Sequence, residues 1–273
     1  MSSPLPQPRL FGILTALTLL TGSYGAADVI TSISDVQGIG VSSPLDGQSL
    51  SLRGVVTGDF QAVDDNDSSN LGGFYIQAIE PRRDDRASDG LFVFDGANAT
   101  VDVNVGDVVS VRGKVQEYFG ETQLAASEVT VTGTAKLRVT ELTLPFASVV
   151  ENSGGELIAD LERYEGMLLH VPQRLNVTDL YNLERYGELR LAAGGRLMQF
   201  TNNNAPGVDG YAEHRENSAM RTLVLDDGRR QSNVSPIRYL HNAEGNALRV
   251  GDSISGVTGN LRFSRGSGGN GTE

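Results

Sequence analysis

Arg53, Tyr75, Arg112 and Lys114 fall on alternate positions of predicted strands, on the face opposite an apolar set. Their types suit a nucleic-acid strand: an aromatic ring can stack on a base while guanidinium and ammonium groups meet phosphates. The same residues equally fit a solvated strand face with an ordinary exposed Tyr, and one ring is a thin stacking platform. Arg82, Arg83 and Arg86 share a predicted loop, but Asp84, Asp85 and Asp89 interrupt them, so local cancellation is the simpler reading. The run Asp64-Asp-Asn-Asp-Ser-Ser-Asn70 is rich in oxygen donors of the kind Ca²⁺ takes. It lacks the Gly and the bidentate Glu of an EF-hand loop and reads as an acidic turn, so no metal site is assigned.

No catalytic set emerges beside these candidates. His170, His214 and His241 are scattered, with no acidic partner at fixed spacing. There is no nucleophile elbow, no phosphate-binding loop and no metalloprotease helix pattern, and Gly38-Ile-Gly40 lacks the later Gly of a dinucleotide fingerprint. Cysteine is absent, which excludes disulfides and thiolate metal sites. The formal net charge of −12 repels a polyphosphate at long range and weighs against tight, unspecific nucleic-acid binding. No catalytic residue and no cofactor is assigned to this chain.

The elements that must position these side chains are strands. Val, Leu and Thr recur in short runs broken by Gly, Asp and Asn, with 33 glycines and no Trp in 273 residues. Predicted strands run over 51–57, 73–78, 91–94, 108–118 and 128–132. Their alternation turns Leu52, Val56, Phe74, Ile76, Val109, Val111 and Val115 inward. Short strands with Gly113 inside a long one predict a small, bent barrel of the OB type. A weaker copy follows: Leu223-Val-Leu-Asp-Asp-Gly228 echoes Leu91-Phe-Val-Phe-Asp-Gly96, and Val250-Gly-Asp252 echoes Val105-Gly-Asp107. The expected class is all-β, with two tandem OB-like small barrels after a signal peptide.

The expected divisions are a signal peptide over 1–27, an extended lead-in over 28–47, a first barrel over 48–142 and a linker over 143–160. A more divergent second β domain over 161–264 and a disordered tail over 265–273 complete the plan. Arg9 followed by the apolar run Leu10–Leu20 and then small residues is the pattern of a cleaved export signal. The run is too short to span a bilayer, and no later segment could cross one. The linker is expected to hold a short helix near 156–161, and Asp226-Asp-Gly228 a hairpin turn.

Several stretches resemble the region ahead of the catalytic domain in secreted bacterial nucleases of the endonuclease/exonuclease/phosphatase superfamily. They include Gly54-Val-Val-Thr-Gly-Asp-Phe-Gln61, Leu71-Gly-Gly-Phe-Tyr-Ile-Gln77, Glu117-Tyr-Phe-Gly-Glu-Thr-Gln-Leu124, Leu161-Glu-Arg-Tyr-Glu-Gly-Met167 and Tyr181-Asn-Leu-Glu-Arg-Tyr-Gly-Glu-Leu189. The resemblance spans roughly 30–262. It implies an exported, extracellular OB-type accessory region that contacts single-stranded or duplex nucleic acid weakly. It also implies a catalytic partner domain, the seat of any divalent metal, that does not lie within these residues. On that reading the chain is truncated before the catalytic domain and does not cut DNA by itself. The alternative is a free-standing secreted adhesion or matrix-binding module with no nucleic-acid role.

Overall fold

The computed structural model describes residues 30–61, 70–80, 84–96, 99, 101–152, 154–241 and 245–264. The predicted export signal, most of the acidic run 64–70, Arg82, Arg83 and the tail 265–273 lie outside them. The described chain is all-β with a few short helices, and none of the helices is long and apolar enough to cross a membrane.

The first half contains β1 (Ile30–Thr31), α1 (Ile33–Gln37), β2 (Ser49–Phe60), β3 (Gly73–Gln77), β4 (Gly90–Phe94), β5 (Asp107–Tyr118) and β6 (Glu121–Thr134). They form a six-stranded sheet in the order β1-β2-β3-β4-β6-β5, and β2 also pairs with β5, which closes the ring. Closure requires long strands, because β2 spends Ser49–Val55 on β5 and Val55–Phe60 on β3. The pairing of β4 with β6 is parallel; the other ring pairings are antiparallel. Gly113 sits at a register shift where β5 bends, and a Cβ there would come within 2.3 Å of the Ala125 carbonyl. Every residue expected to face inward on these strands is buried in one cluster with Leu91, Val93 and Leu124. Each such side chain contributes roughly 1.5–3 kcal/mol by leaving water.

The second half adds β7 (Thr140–Glu141), β8 (Val149–Glu151), β9 (Leu157–Ala159), β10 (Leu168–Val171), β11 (Leu175–Asp179), α2 (Leu183–Tyr186), β12 (Leu189–Ala193), α3 (Val208–Met220), β13 (Thr222–Leu225), β14 (Ser253–Ile254) and β15 (Val257–Asn260). Its pairing scheme follows the first half. A short parallel strand precedes the first long run (β7 on β10, as β1 on β2), and a late strand returns antiparallel to it (β15 on β10, as β5 on β2). Among the described residues these strands stand in a three-stranded sheet (β15-β10-β7), a four-stranded sheet (β13-β12-β11-β14) and the β8–β9 pair, with a second core that includes Leu161, Leu175, Leu189 and Leu191.

Two local expectations are corrected. The stretch near 156–161 is not helical: β9 pairs with β8 across a turn in which Asn152 Oδ1 accepts from the backbone N–H of Gly154 and Glu156. That side-chain capture of the backbone favours the turn over a helix. Among the described residues no strand returns to pair with β13 after Asp226-Asp-Gly228. Asp226 Oδ1 accepts from Gly228 N–H at 2.6 Å, which makes a local loop rather than a hairpin.

The halves touch backbone to backbone where Gly90 meets Gly166. A Cβ on Gly90 would lie 2.2 Å from the Gly166 carbonyl carbon, and one on Gly166, at φ +73°, would lie 2.6 Å from Leu91 N. Neither obstacle is a flexible side-chain end, so relief requires the halves to separate. Gly90→Ala is expected to destabilise the protein by about 2–4 kcal/mol. Gly133→Ala, where a Cβ meets nothing within 4 Å, is expected to stay within about 0.5 kcal/mol of wild type in urea unfolding.

Candidate functional site

The strand alternation that buries Phe74 and Ile76 turns Thr57, Tyr75, Gln77, Phe92 and Glu121 to the outside of the ring, and the second half covers this patch. Gln77 Oε1 accepts from Leu168 N–H at 3.0 Å, and Asn260 Nδ2 donates to Thr57 Oγ1 at 2.8 Å. Ser88 Oγ donates to the Glu165 carbonyl, and Thr122 N–H donates to Glu165 Oε1 at 3.0 Å. Tyr75 is 1% exposed. Its hydroxyl donates to Glu121 Oε1 at 2.7 Å, and Arg262 Nη2 donates to Glu121 Oε2 at 2.9 Å.

Tyr75 therefore cannot offer a ring face to a base, which corrects the expected binding set. It does point away from the barrel core, but the second half lies over it, and its ring is held against Phe60 and Phe92 at 5.5 and 4.9 Å. Arg53, Arg112 and Lys114 are exposed elsewhere. They line one ladder: Arg53 stands opposite Ser110, while Arg112 and Lys114 stand opposite Ser51 and Ser49. On its other side Arg112 is opposite Glu128. Arg53 borders a hollow beside α1 that also holds Asp35, Glu80, Asp84 and Asp89, so its surroundings are acidic. The structure keeps these three cations together and parts them from Tyr75.

At the edge of the covered patch a cleft of about 440 Å³ opens between the halves. Phe92 and Phe94 from β4 and Tyr118 and Phe119 from the β5–β6 turn form one wall, and Tyr186 and Phe263 come from the second half. Arg229, Arg230 and Arg262 supply positive charge; Glu121, Glu188 and Asp226 oppose it. Arg229 is buried and donates to the Pro236 carbonyl, Arg262 is committed to Glu121, and Arg230 is the exposed guanidinium.

The turn at Phe119 is unusual. Phe119 and Gly120 have φ of +57° and +95°, the two-residue turn geometry in which Asn-Gly or Asp-Gly is favoured. A bulky residue at positive φ costs free energy, commonly about 1–3 kcal/mol, and such strain clusters at binding sites. Here the strain holds Phe119, 52% exposed, at the cleft rim with its ring 4.5 Å from that of Tyr118, which is 45% exposed. Across the cleft, Phe263 closes on Gly120, where a Cβ would lie 2.6 Å from the Phe263 ring. Phe119, Phe263 and Arg230 were missed because sequence alternation says nothing about residues in turns and loops. The usable signal was Tyr118-Phe119-Gly120, an aromatic where a turn calls for Asn or Asp.

Burial raises Glu121 above the ordinary carboxylate range, and Arg262 and the Tyr75 hydroxyl pull it back; burial with the Glu121 charge pushes Tyr75 well up. Among the described residues no group of three or more His, Asp or Glu is placed to hold a metal ion. No family model matches this sequence, and no curated protein matches it significantly.

Removing Arg262 leaves Glu121 buried without its cation. Arg262→Met is expected to cost about 3–5 kcal/mol in chemical denaturation, and the double variant Arg262→Met/Glu121→Gln to recover part of that loss. A second expectation concerns Glu162, whose carboxyl is pushed up to about 7 by burial, with the Glu117 and Asp160 charges adding to it. The folded value exceeds the ordinary 4.5, so this group's stabilising contribution is complete below pH 4.5 and disappears as pH rises through about 7. Because Glu162 is only part-buried, the loss is expected to be roughly 1 kcal/mol. Glu162→Gln is expected to leave stability near pH 4.5 unchanged and to raise it above pH 7, as read by urea midpoints.

Proposed function

We propose that this chain is an exported, non-catalytic module that binds single-stranded nucleic acid in the cleft between its halves, in the manner of the accessory region of an extracellular nuclease. The observation that carries the reading is the cleft wall itself. Exposed Tyr118 and strained, exposed Phe119 stand beside Phe94, facing Phe263, with Arg230 within the same lining. Bases stack on such rings without regard to sequence, while a guanidinium meets the backbone phosphates. The ring order β2-β3-β4-β6-β5, closed back on β2 with a parallel β4–β6 pair, supports reading the first half as an OB-type barrel, a frame commonly used for oligonucleotides. The resemblance of 30–262 to the region ahead of nuclease catalytic domains supports the same reading.

The net charge of −12 limits affinity and favours the rival reading, a secreted adhesion or matrix-binding module. The proposal is therefore of weak, stacking-led binding, with few phosphates engaged. Titration of a labelled oligothymidine of roughly ten nucleotides is expected to give micromolar affinity and a salt slope near −2, equivalent to about three phosphate contacts. Phe119→Ala is expected to weaken binding about tenfold, or 1–2 kcal/mol, and Arg230→Ala to weaken it and flatten the salt slope. Lys114→Ala is expected to change little. No binding by the folded wild-type chain would favour the adhesion module.

A further inference from the structure

A second cavity, of about 580 Å³, lies wholly within the second half and shares no lining residue with the junction cleft. It sits between α3 and the outer face of β12 and β13. Register sets that face: Arg190 stands opposite Val224 and Ala192 opposite Thr222, while Leu189, Leu191, Leu223 and Leu225 turn the other way into the core. The helix above it has no apolar stripe. Of its 13 residues only Ala219 is buried, and no side chain caps its N-terminus. A helix of this kind is not fixed by burial against a core, and what holds its inner wall is a set of specific contacts.

Those contacts build a pocket. His214 Nε2 donates to the Met198 carbonyl at 3.0 Å and ties α3 to the segment before it. Phe200 is gripped edge-on, with its ring centroid 5.9 Å from Tyr211 and 5.5 Å from His214, and it lies across Gly210, where a Cβ would be 3.1 Å from its ring. Leu157, Ile158 and Val224 make the apolar floor. Arg190 rises from β12 into this lining, part-buried, and among the described residues it has no hydrogen-bond or ion-pair partner. Arg215 on α3 adds a second guanidinium, donating to the Gly155 carbonyl at 3.0 Å, and Glu156 lies exposed at the rim. The Arg190 guanidinium thus keeps its N–H donors available to an anion entering the cavity.

We infer that this cavity binds one small aromatic anion, a planar ring bearing a phosphate or carboxylate head, with Phe200 and Tyr211 against the ring and Arg190 on the head. The volume falls in the range of small-ligand sites, about 300–1,000 Å³. A planar guanidinium pairs with either head group through parallel N–H donors. A nucleoside monophosphate and an aromatic carboxylate share this chemistry, and separate titrations distinguish them.

The test is isothermal titration of the full chain with adenosine monophosphate and, separately, with 4-hydroxybenzoate. At least one is expected to bind at one site per chain with Kd below about 1 mM. Binding of the first alone assigns a nucleotide site, and of the second alone an aromatic acid site. Arg190→Ala is expected to weaken that binding at least tenfold, and Ser218→Trp, which fills the cavity from α3, to abolish it. Phe119→Ala in the junction cleft is expected to leave it unchanged, which separates this site from the oligonucleotide site. Circular dichroism confirms that each variant is folded. Should Ser218→Trp misfold, Arg190→Ala decides, because Arg190 lies outside both cores. Failure of both ligands to bind, or wild-type affinity in Arg190→Ala, overturns the inference.

Discussion

The arrangement of this protein turns on the covering of one barrel face. Thr57, Tyr75, Gln77 and Glu121 are polar residues on the outside of the first ring, and each is satisfied by, or packed beneath, the second half. A buried carboxylate between a buried phenol and a largely buried guanidinium is tolerable only while every member keeps its partner. The close approach of Gly90 and Gly166 fixes how near the halves must lie for those bonds to form. Geometry and polar pairing thus demand the same placement, and a half-formed junction would expose a strained, unsatisfied surface.

That placement makes the cleft. Phe92 and Phe94 would sit on an open barrel wall if the second half were elsewhere, and Phe263 would have no turn to close upon. Arg262 serves both sides, since it neutralises Glu121 beneath the cleft while lining it. The fixed charges nearly cancel, which leaves aromatic surface as the cleft's dominant chemistry. An acidic protein can engage a polyanion under that arrangement only through stacking and a few phosphate contacts.

Much of the first ring was legible from alternation. Phe74 and Ile76 against Tyr75 and Gln77 gave the two faces of β3, and Gly113 marked the bend of β5. What alternation could not show is that an outward face may itself be an interface, because period two distinguishes the sides of a sheet but not what covers each side. Tyr75 was placed on the correct side and given the wrong environment for that reason. The helix α3 escaped notice because Val208–Met220 has no apolar period, and the β8–β9 hairpin because its strands are only three residues long. The cavity under α3 depends on tertiary contacts among Phe200, Tyr211 and His214 that leave no local pattern.

We propose that nucleic acid is held at the junction and not on the exposed Arg53–Arg112–Lys114 ladder. Photocross-linking with an oligonucleotide carrying 5-iododeoxyuridine, followed by peptide mass spectrometry, locates the contact directly. Adducts are expected on Tyr118, Phe119 or Phe263. Adducts confined to peptides carrying Arg112 and Lys114, with none on the cleft aromatics, would contradict the proposal.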